Sequence, residues 1–303
     1  MHIVVTLVER DFLYGACALF NSLTNNGFDG KFVIGYRDRE GMPAKALAAL
    51  SNGLEGKVEW VRLDTPIHFG NYKPWFMQAV FDRYPQARKV TYIDPDIVCL
   101  APFDWIDSWS DGGPAVCADV NWMMPADHPT RHAWLEISGC HARRHLNKYF
   151  NSGFLSVRRE DAGFLQLWSG LIERVGAHDN PLEGKGDIAD WRKGGRWMPF
   201  YSPNQDTLNL ALMVWEGEVT TLGPDVMGFT ATGVLPHALG SEKPWKKRYL
   251  WDALFGLGPR QIDKVFWSDM GQRPMRFHSG FYIALRRAAL AIASGIGRFY
   301  RRS

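Results

Sequence analysis

The sequence predicts an α/β fold built on a mixed central sheet, with a basic helical extension at the C-terminus. Three observations carry that prediction. Apolar, β-branched runs alternate with helix-spaced segments from the first residue onward. The chain has 303 residues, 46% of them hydrophobic and 22% charged, enough to bury one large core or two smaller ones. After Trp245 the composition turns basic and aromatic.

The elements follow in order. His2 to Val8 reads as a strand and Asp11 to Leu23 as the helix after it, ended by Asn25-Asn26-Gly27. KFVIGY at 31–36 is a strand, MPAKALAALSNGL a helix and VEWVRL at 58–63 a strand. A helix near 74–85 leads to the strand KVTYI at 89–93. Further strands are expected at AVCA (115–118), SGFLSV (152–157), WMPFY (197–201) and ATGVLP (231–236), with helices near 160–175 and 204–214. The glycine-rich stretch 183–195 reads as a surface loop.

Composition removes several functions. Lys+Arg 35 against Asp+Glu 32 leaves a formal charge of +3, too balanced for a protein that meets a polyanion over a broad face, so no nucleic acid is expected as partner. The opening MHIVVTLVERD has no basic leader and meets charge early, which reads as a cytoplasmic start. Cys17, Cys99, Cys117 and Cys140 lie far apart without CxxC spacing, so free, mostly buried thiols are expected. Most of the thirteen tryptophans are assigned to packing. The chain lacks a P-loop, a dinucleotide glycine fingerprint, a nucleophile elbow and an HExxH, which leaves kinase, NAD oxidoreductase and serine hydrolase readings without support.

The sharpest chemical feature is KVTYIDPDIVCL, where a hydrophobic strand runs into Asp94-Pro95-Asp96. Two carboxylates at the end of a buried strand are costly unless something compensates them. In an α/β sheet that end is where ligands bind, and alternate acids can converge on a divalent cation. His128, His132, His141 and His145 form two HxxxH pairs around Cys140, a spacing compatible with zinc, but no glutamate completes an HExxH and an acceptor-facing or surface loop is the preferred reading.

Four further segments surround the acidic motif in an order that resembles the retaining glycosyltransferases of family 8, the group of glycogenin and the bacterial lipopolysaccharide galactosyl- and glucosyltransferases. VVTLVERDFLYGACALFNSL is similar to their opening strand and helix, and DPD to their DxD. FNSGFLSV resembles their N-A/S-G strand, NQDTLN their DQDxLN, and HALGSEKPW at 237–245 their HFxGxxKPW. The resemblance covers roughly residues 1–250.

It implies a GT-A type nucleotide-sugar-binding domain over 1–250, with 251–303 as a C-terminal extension. The implied donor is a UDP-sugar held with Mn²⁺ or Mg²⁺, and Asp94, Asp96 and His237 are the implied metal ligands, with Asp94 also near the donor. The chemistry of the residues agrees, because an imidazole added to two carboxylates moves preference from Mg²⁺ toward Mn²⁺. Gly240 and Lys243 would meet the phosphates. His278, in Arg276-Phe277-His278-Ser279-Gly280, ranks second to His237 because no lysine trails it.

Lys73 in NYKPWFMQAVF would contact the donor, a solvated lysine beside a helix start being the alternative; Leu7, Glu9 and Arg10 are the candidates for base and ribose. Asn151 and Gly153 would approach the donor sugar, with Ser152 where alanine is common. Gln205 and Asp206 fall near the anomeric carbon, and Asn204 stands where most members carry aspartate. Covalent and same-face routes to retention both stay open.

The expected activity is metal-dependent, retaining hexose transfer to a glycan or glycolipid acceptor in surface polysaccharide or lipopolysaccharide synthesis. The rivals are a sugar nucleotidyltransferase and a catalytically silent glycan- or membrane-binding relative. The segment IALRRAALAIASGIGRFYRRS is too short and too charged to span a bilayer; it suits either an anionic membrane surface, making the protein peripheral on the inner face, or a terminal helix docked on the domain.

Overall fold

The computed structural model describes residues 1–51, 54, 56–176 and 199–300. Seven strands form a mixed sheet in the order β3-β2-β1-β4-β6-β5-β7. They are β1 (His2–Leu7), β2 (Lys31–Tyr36), β3 (Val58–Arg62), β4 (Lys89–Ile93), β5 (Ala115–Met123), β6 (Lys148–Arg158) and β7 (Thr220–Leu222). β1 and β4 are buried at every position, as parallel strands covered on both faces are.

The chain divides into two compact units. The first comprises Met1–Val5, Leu63–Tyr92 and Trp109–Pro224. Here β1 runs parallel to β4 in the register His2↔Lys89 to Val5↔Tyr92. β5 is antiparallel to β6, with register shifts after Val116 and Ala118, and parallel to β7. Its helices are α3 (Phe69–Arg83), α5 (Pro129–Ser138), α6 (Gly163–Arg174) and α7 (Pro203–Val214), while α1, α2 and α4 belong to the second unit. α3, α6 and α7 pack on one another and bury Trp168 completely. Trp134 on α5 is also fully buried and donates to the carbonyl of Pro199.

The second unit comprises Thr6–Arg62, Ile93–Ser108 and Asp225–Ser303. It holds α1 (Leu13–Asn25), α2 (Ala44–Ser51), α4 (Phe103–Trp109), α8 (Tyr249–Leu254), α9 (Gln261–Asp269) and α10 (Gly280–Tyr300), and β2 runs parallel to β3. α1 packs on α2 and α9, and α10 packs on α8 and α9. Asn21 on α1 ties this cluster together: its amide donates to the carbonyls of Asp269 and Met275 and its oxygen accepts the Met275 amide.

Three expectations need correction. The helix expected near 74–85 starts at Phe69, because His68 caps it by accepting the Gly70 amide on Nδ1, so Pro74 lies inside rather than at the first turn. The segment 231–236 is not a strand. Pro236 has no amide to give, and a Cβ on Gly233 would collide with the Gly228 amide, so isolated bonds form instead of a ladder, among them Leu100 N to Val234 O, Val98 N to Pro236 O and Leu235 N to Val226 O. Residues 199–201 are turn and bend, while the remainder of that expected strand and the loop 183–195 lie outside the described residues.

All four cysteines are free, three of them buried. No helix among the described residues is long and apolar enough to cross a membrane.

Candidate active site

Two clusters gather the motif residues, one in each unit. The first begins where β4 ends. Ile93 is fully buried, and the next residues turn through Asp94-Pro95-Asp96. α1 passes so close that a Cβ on Gly15 would collide with the carbonyl of Pro95, which explains the small residue in LYGACALF. Ile97 then forms a bridge with His237. Through it His237 Nε2 lies 3.2 Å from Asp96 Oδ1 and 4.0 Å from Asp94 Oδ2.

One ligand atom from each of Asp94, Asp96 and His237 lies within 4.8 Å of the others, the only such group of three or more among the described residues. Two carboxylates and an imidazole suit a divalent cation of the Mn²⁺ kind. His237 turns Nε2 toward both carboxylates, the ring nitrogen that would serve the cation, while its buried Nδ1 has no hydrogen-bond partner among the described residues. The residues present therefore fit the metal.

Lys243 donates 2.6 Å to Asp96 Oδ2 and 2.7 Å to the carbonyl of Ala238. Burial alone would raise the Asp96 carboxyl, but His237 and Lys243 override it and hold it well below the usual carboxylate range. Gly240 adopts φ +88°, a left-handed conformation that a side chain would strain, with open space at its missing Cβ. Trp245 Nε1 and Lys246 Nζ both reach Asp11 Oδ2, at 2.7 and 2.9 Å, which anchors the KPW segment against the start of α1.

Of the residues expected at base and ribose, Leu7 is buried, Arg10 is exposed at φ +50°, and Glu9 pairs with Arg37 at 3.2 Å. His278 lies instead among rings, 4.4 Å from Phe277, 4.7 Å from Tyr282 and 5.8 Å from Tyr14. Burial, with Lys45 and Arg286 nearby, lowers its pKa. The four histidines of the HxxxH pairs form no metal group among the described residues, and His128 Nδ1 caps α5 by accepting the Thr130 amide.

The second cluster lies where β6 faces α7. Lys73 is buried rather than solvated; its ammonium donates 2.9 Å to the carbonyl of Ser152 and sits 4.6 Å from the centre of the Tyr92 ring. Asn151 donates 2.6 Å to Asp119 Oδ2 and accepts the Gly153 amide at 2.7 Å. Gln205 Oε1 accepts the Ser152 amide at 3.1 Å. Asn204 donates to Ser152 Oγ at 3.1 Å and accepts the Gln205 amide at 2.7 Å, so an amide has structural employment at that position.

Asp206 is buried, accepting Tyr149 OH and the Ser202 amide, each at 2.6 Å. Burial pushes its carboxyl up to about 7 against these two donors. Asn209, the last residue of the NQDTLN motif, accepts the Phe150 amide and donates to the carbonyls of Phe150 and Gln205, locking α7 to β6.

Asp119 and Tyr149 escaped the sequence reading. The signal for Asp119 was present: AVCAD, like KVTYID, runs an apolar strand into a buried acid. Tyr149 carried none, because only the pairing of β6 with α7 brings it to Asp206.

No known protein-family profile matches the chain. The uncharacterised protein YfnF of Bacillus subtilis (strain 168) is 29% identical over 198 residues, 61% of either chain. The apo structure of WbbM, a bifunctional glycosyltransferase, aligns with TM-score 0.56 and 14% identity, over 94% of this chain and 51% of that one. An active-site mutant of LgtC aligns with TM-score 0.51 and 15% identity, over 82% of this chain and 90% of that one. The chain thus spans about half the length of WbbM and 61% of YfnF. Its mixed α/β architecture is the GT-A fold of these glycosyltransferases.

Proposed function

We propose that the chain is a metal-dependent, retaining glycosyltransferase of the family 8 kind. It moves a hexose from a UDP-sugar to a glycan or glycolipid acceptor in surface polysaccharide or lipopolysaccharide synthesis. Residues 1–250 carry the transfer, and 251–303 form an extension that brings the enzyme to the inner membrane face. The observation that carries the reading is the convergence of Asp94, Asp96 and His237, with Lys243 beside them, on a GT-A fold.

Asp94, Asp96 and His237 hold the cation. When bound, it offsets the charge of the diphosphate and of the leaving group. Lys243, which here neutralises Asp96, is placed to share its protons with a phosphate oxygen. The left-handed turn at Gly240 leaves room for backbone amides to approach the same group. Leu7, Glu9 and Arg10 meet the base and ribose.

Asn151 and Gly153 contact the donor sugar, with Asp119 fixing the Asn151 amide and Lys73 fixing the strand through the Ser152 carbonyl. Gln205 and Asp206 stand by the anomeric carbon and stabilise its developing charge. A carboxyl at about 7 lets Asp206 hold or release its proton near neutral pH.

Thermal-shift titration with uridine, guanosine, cytidine and thymidine diphosphates, each with Mn²⁺ and with chelator, tests the reading. A rise in melting temperature is expected only for the uridine nucleotide with metal, and it is lost in Asp96→Ala. Absence of any shift, or a shift indifferent to chelator, overturns it.

A further inference from the structure

Tyr149 lies outside every motif of the chain, yet its hydroxyl sits at the centre of the second cluster. It donates 2.6 Å to Asp206 Oδ1, and the Ser202 amide donates to Oδ2 at the same distance. Both carboxylate oxygens therefore accept, which is the pattern of the ionised form. Gln205 acts on the other side of the hydroxyl. Its Oε1 accepts the Ser152 amide at 3.1 Å, which leaves its amide nitrogen to donate, and its side chain eases ionisation of the phenol as a donor to the phenol oxygen does. Ser152 amide, Gln205, Tyr149 and Asp206 thus form a chain in which each group donates to the next.

The surroundings make opposing demands on that chain. Burial raises the pKa of both Tyr149 and Asp206, and the charge of Asp119 on β5 adds to each rise. On α5, buried Arg131 faces Tyr149 with its guanidinium held by the carbonyls of Met124 and Lys148. Lys73 of α3 directs its ammonium to the Ser152 carbonyl, and α6 contributes the neutral Trp168, bonded to Thr207 Oγ1. Against burial, Tyr149 and the backbone amides of Tyr201 and Ser202 favour the Asp206 carboxylate. Without the Tyr149 hydroxyl that opposition would rest on the two backbone amides.

We propose that Tyr149 is a positioning residue: its hydroxyl holds Asp206 as a carboxylate and fixes the Gln205 amide beside it, so that both meet the reacting sugar carbon in one arrangement. This role rests on sugar transfer at Gln205 and Asp206. An anion there stabilises the positive charge that develops as the bond to the diphosphate breaks, and a neutral acid does so far less. The phenol keeps its own proton across neutral pH, since burial and then Asp206 hold it well above the ordinary phenol value.

The test is Tyr149→Phe, which removes the hydroxyl and keeps a ring against Trp134. The rate of uridine diphosphate release from UDP-galactose and from UDP-glucose is followed with Mn²⁺ and saturating donor, water serving as acceptor, from about pH 6 to about pH 8.5. Losing a hydrogen bond to a charged group should move the acidic limb of the kcat profile up by about one pH unit. The variant is then about tenfold slower than the wild type near pH 6 and within about twofold near pH 8.5, with donor KM changed by less than about twofold. A residue that only packs would lower the rate by one factor at every pH, and that result overturns the proposal. A wild-type profile without an acidic limb near pH 7 also overturns it and needs no variant.

Urea unfolding supplies a readout without turnover. The stability that the Asp206 proton contributes is present at low pH and lost as pH rises through the folded value, so in Tyr149→Phe the loss should continue about one pH unit higher than in the wild type. Coincident unfolding curves overturn the proposal. If the curves separate while the wild type splits neither donor, the hold of Tyr149 on Asp206 stands and transfer from these hexose donors is what fails.

Discussion

Replacing Asp206 by asparagine should flatten one component of the protein's pH-dependent stability. Asp206 is buried at the start of α7, with a carboxyl raised from 3.8 to about 7. A folded-state value above the unfolded one means that the native protein binds a proton the unfolded chain has released. The contribution is therefore complete below about pH 4, declines as pH rises, and is lost above the folded value near 7. The gap between the unfolded and folded values corresponds to about 4 kcal/mol in all. Between pH 5 and pH 8 the loss integrates to about 2–3 kcal/mol.

Asparagine is nearly isosteric and can reproduce both contacts, its oxygen accepting the Ser202 amide and its amide donating to the Tyr149 oxygen. Urea unfolding of both proteins at several pH values across that range is the assay. The wild type should lose about 2–3 kcal/mol more than Asp206→Asn. The comparison is needed because burial also raises Asp269 to about 7, and Asp269 titrates alike in both proteins. Parallel curves would show that Tyr149 and Ser202 keep Asp206 ionised throughout, and would refute the reasoning.

Gly15→Ala should destabilise the fold by about 1–3 kcal/mol and weaken the Mn²⁺-dependent thermal shift, since the added methyl displaces the Pro95 carbonyl between the two acids; an unchanged shift would dissociate α1 from the acidic turn. Asn209→Ala should cost about 2–4 kcal/mol in urea unfolding, because it leaves the buried Phe150 amide and carbonyl without their side-chain partner. Lys243→Met should weaken uridine diphosphate binding in calorimetry at least about tenfold, the charge being lost where the phosphates are expected, while Mn²⁺ alone binds no more weakly because the competing ammonium on Asp96 is gone.

Much of the architecture was legible in advance. β1, β2 and β4 match their apolar runs because parallel strands covered on both faces need continuous hydrophobic side chains, a one-dimensional signal. β5 and β6 extend well past AVCA and SGFLSV, since their ends carry polar residues that pairing, not hydropathy, keeps in the sheet. The start of α3 was missed because a histidine cap is an uncommon signal. At the cluster of Asp94, Asp96 and His237 the residues were legible through DPD and HALGSEKPW, yet the pairing of Lys243 with Asp96 was not, being a contact across 147 positions.

Local order therefore resided in the chain itself: hydrophobic periodicity, glycine and proline punctuation, and short motifs act over a few residues and can be read from them. The partnerships of buried polar groups were decided by folding alone. Asp119 with Asn151, Tyr149 with Asp206 and Lys73 with the Ser152 carbonyl each join distant segments, because a buried donor or acceptor takes whichever complement packing brings within reach. The same holds for the apolar stripe of α10: its residues were visible in the sequence, but which of them face the protein and which face outward depended on where α8 and α9 came to rest.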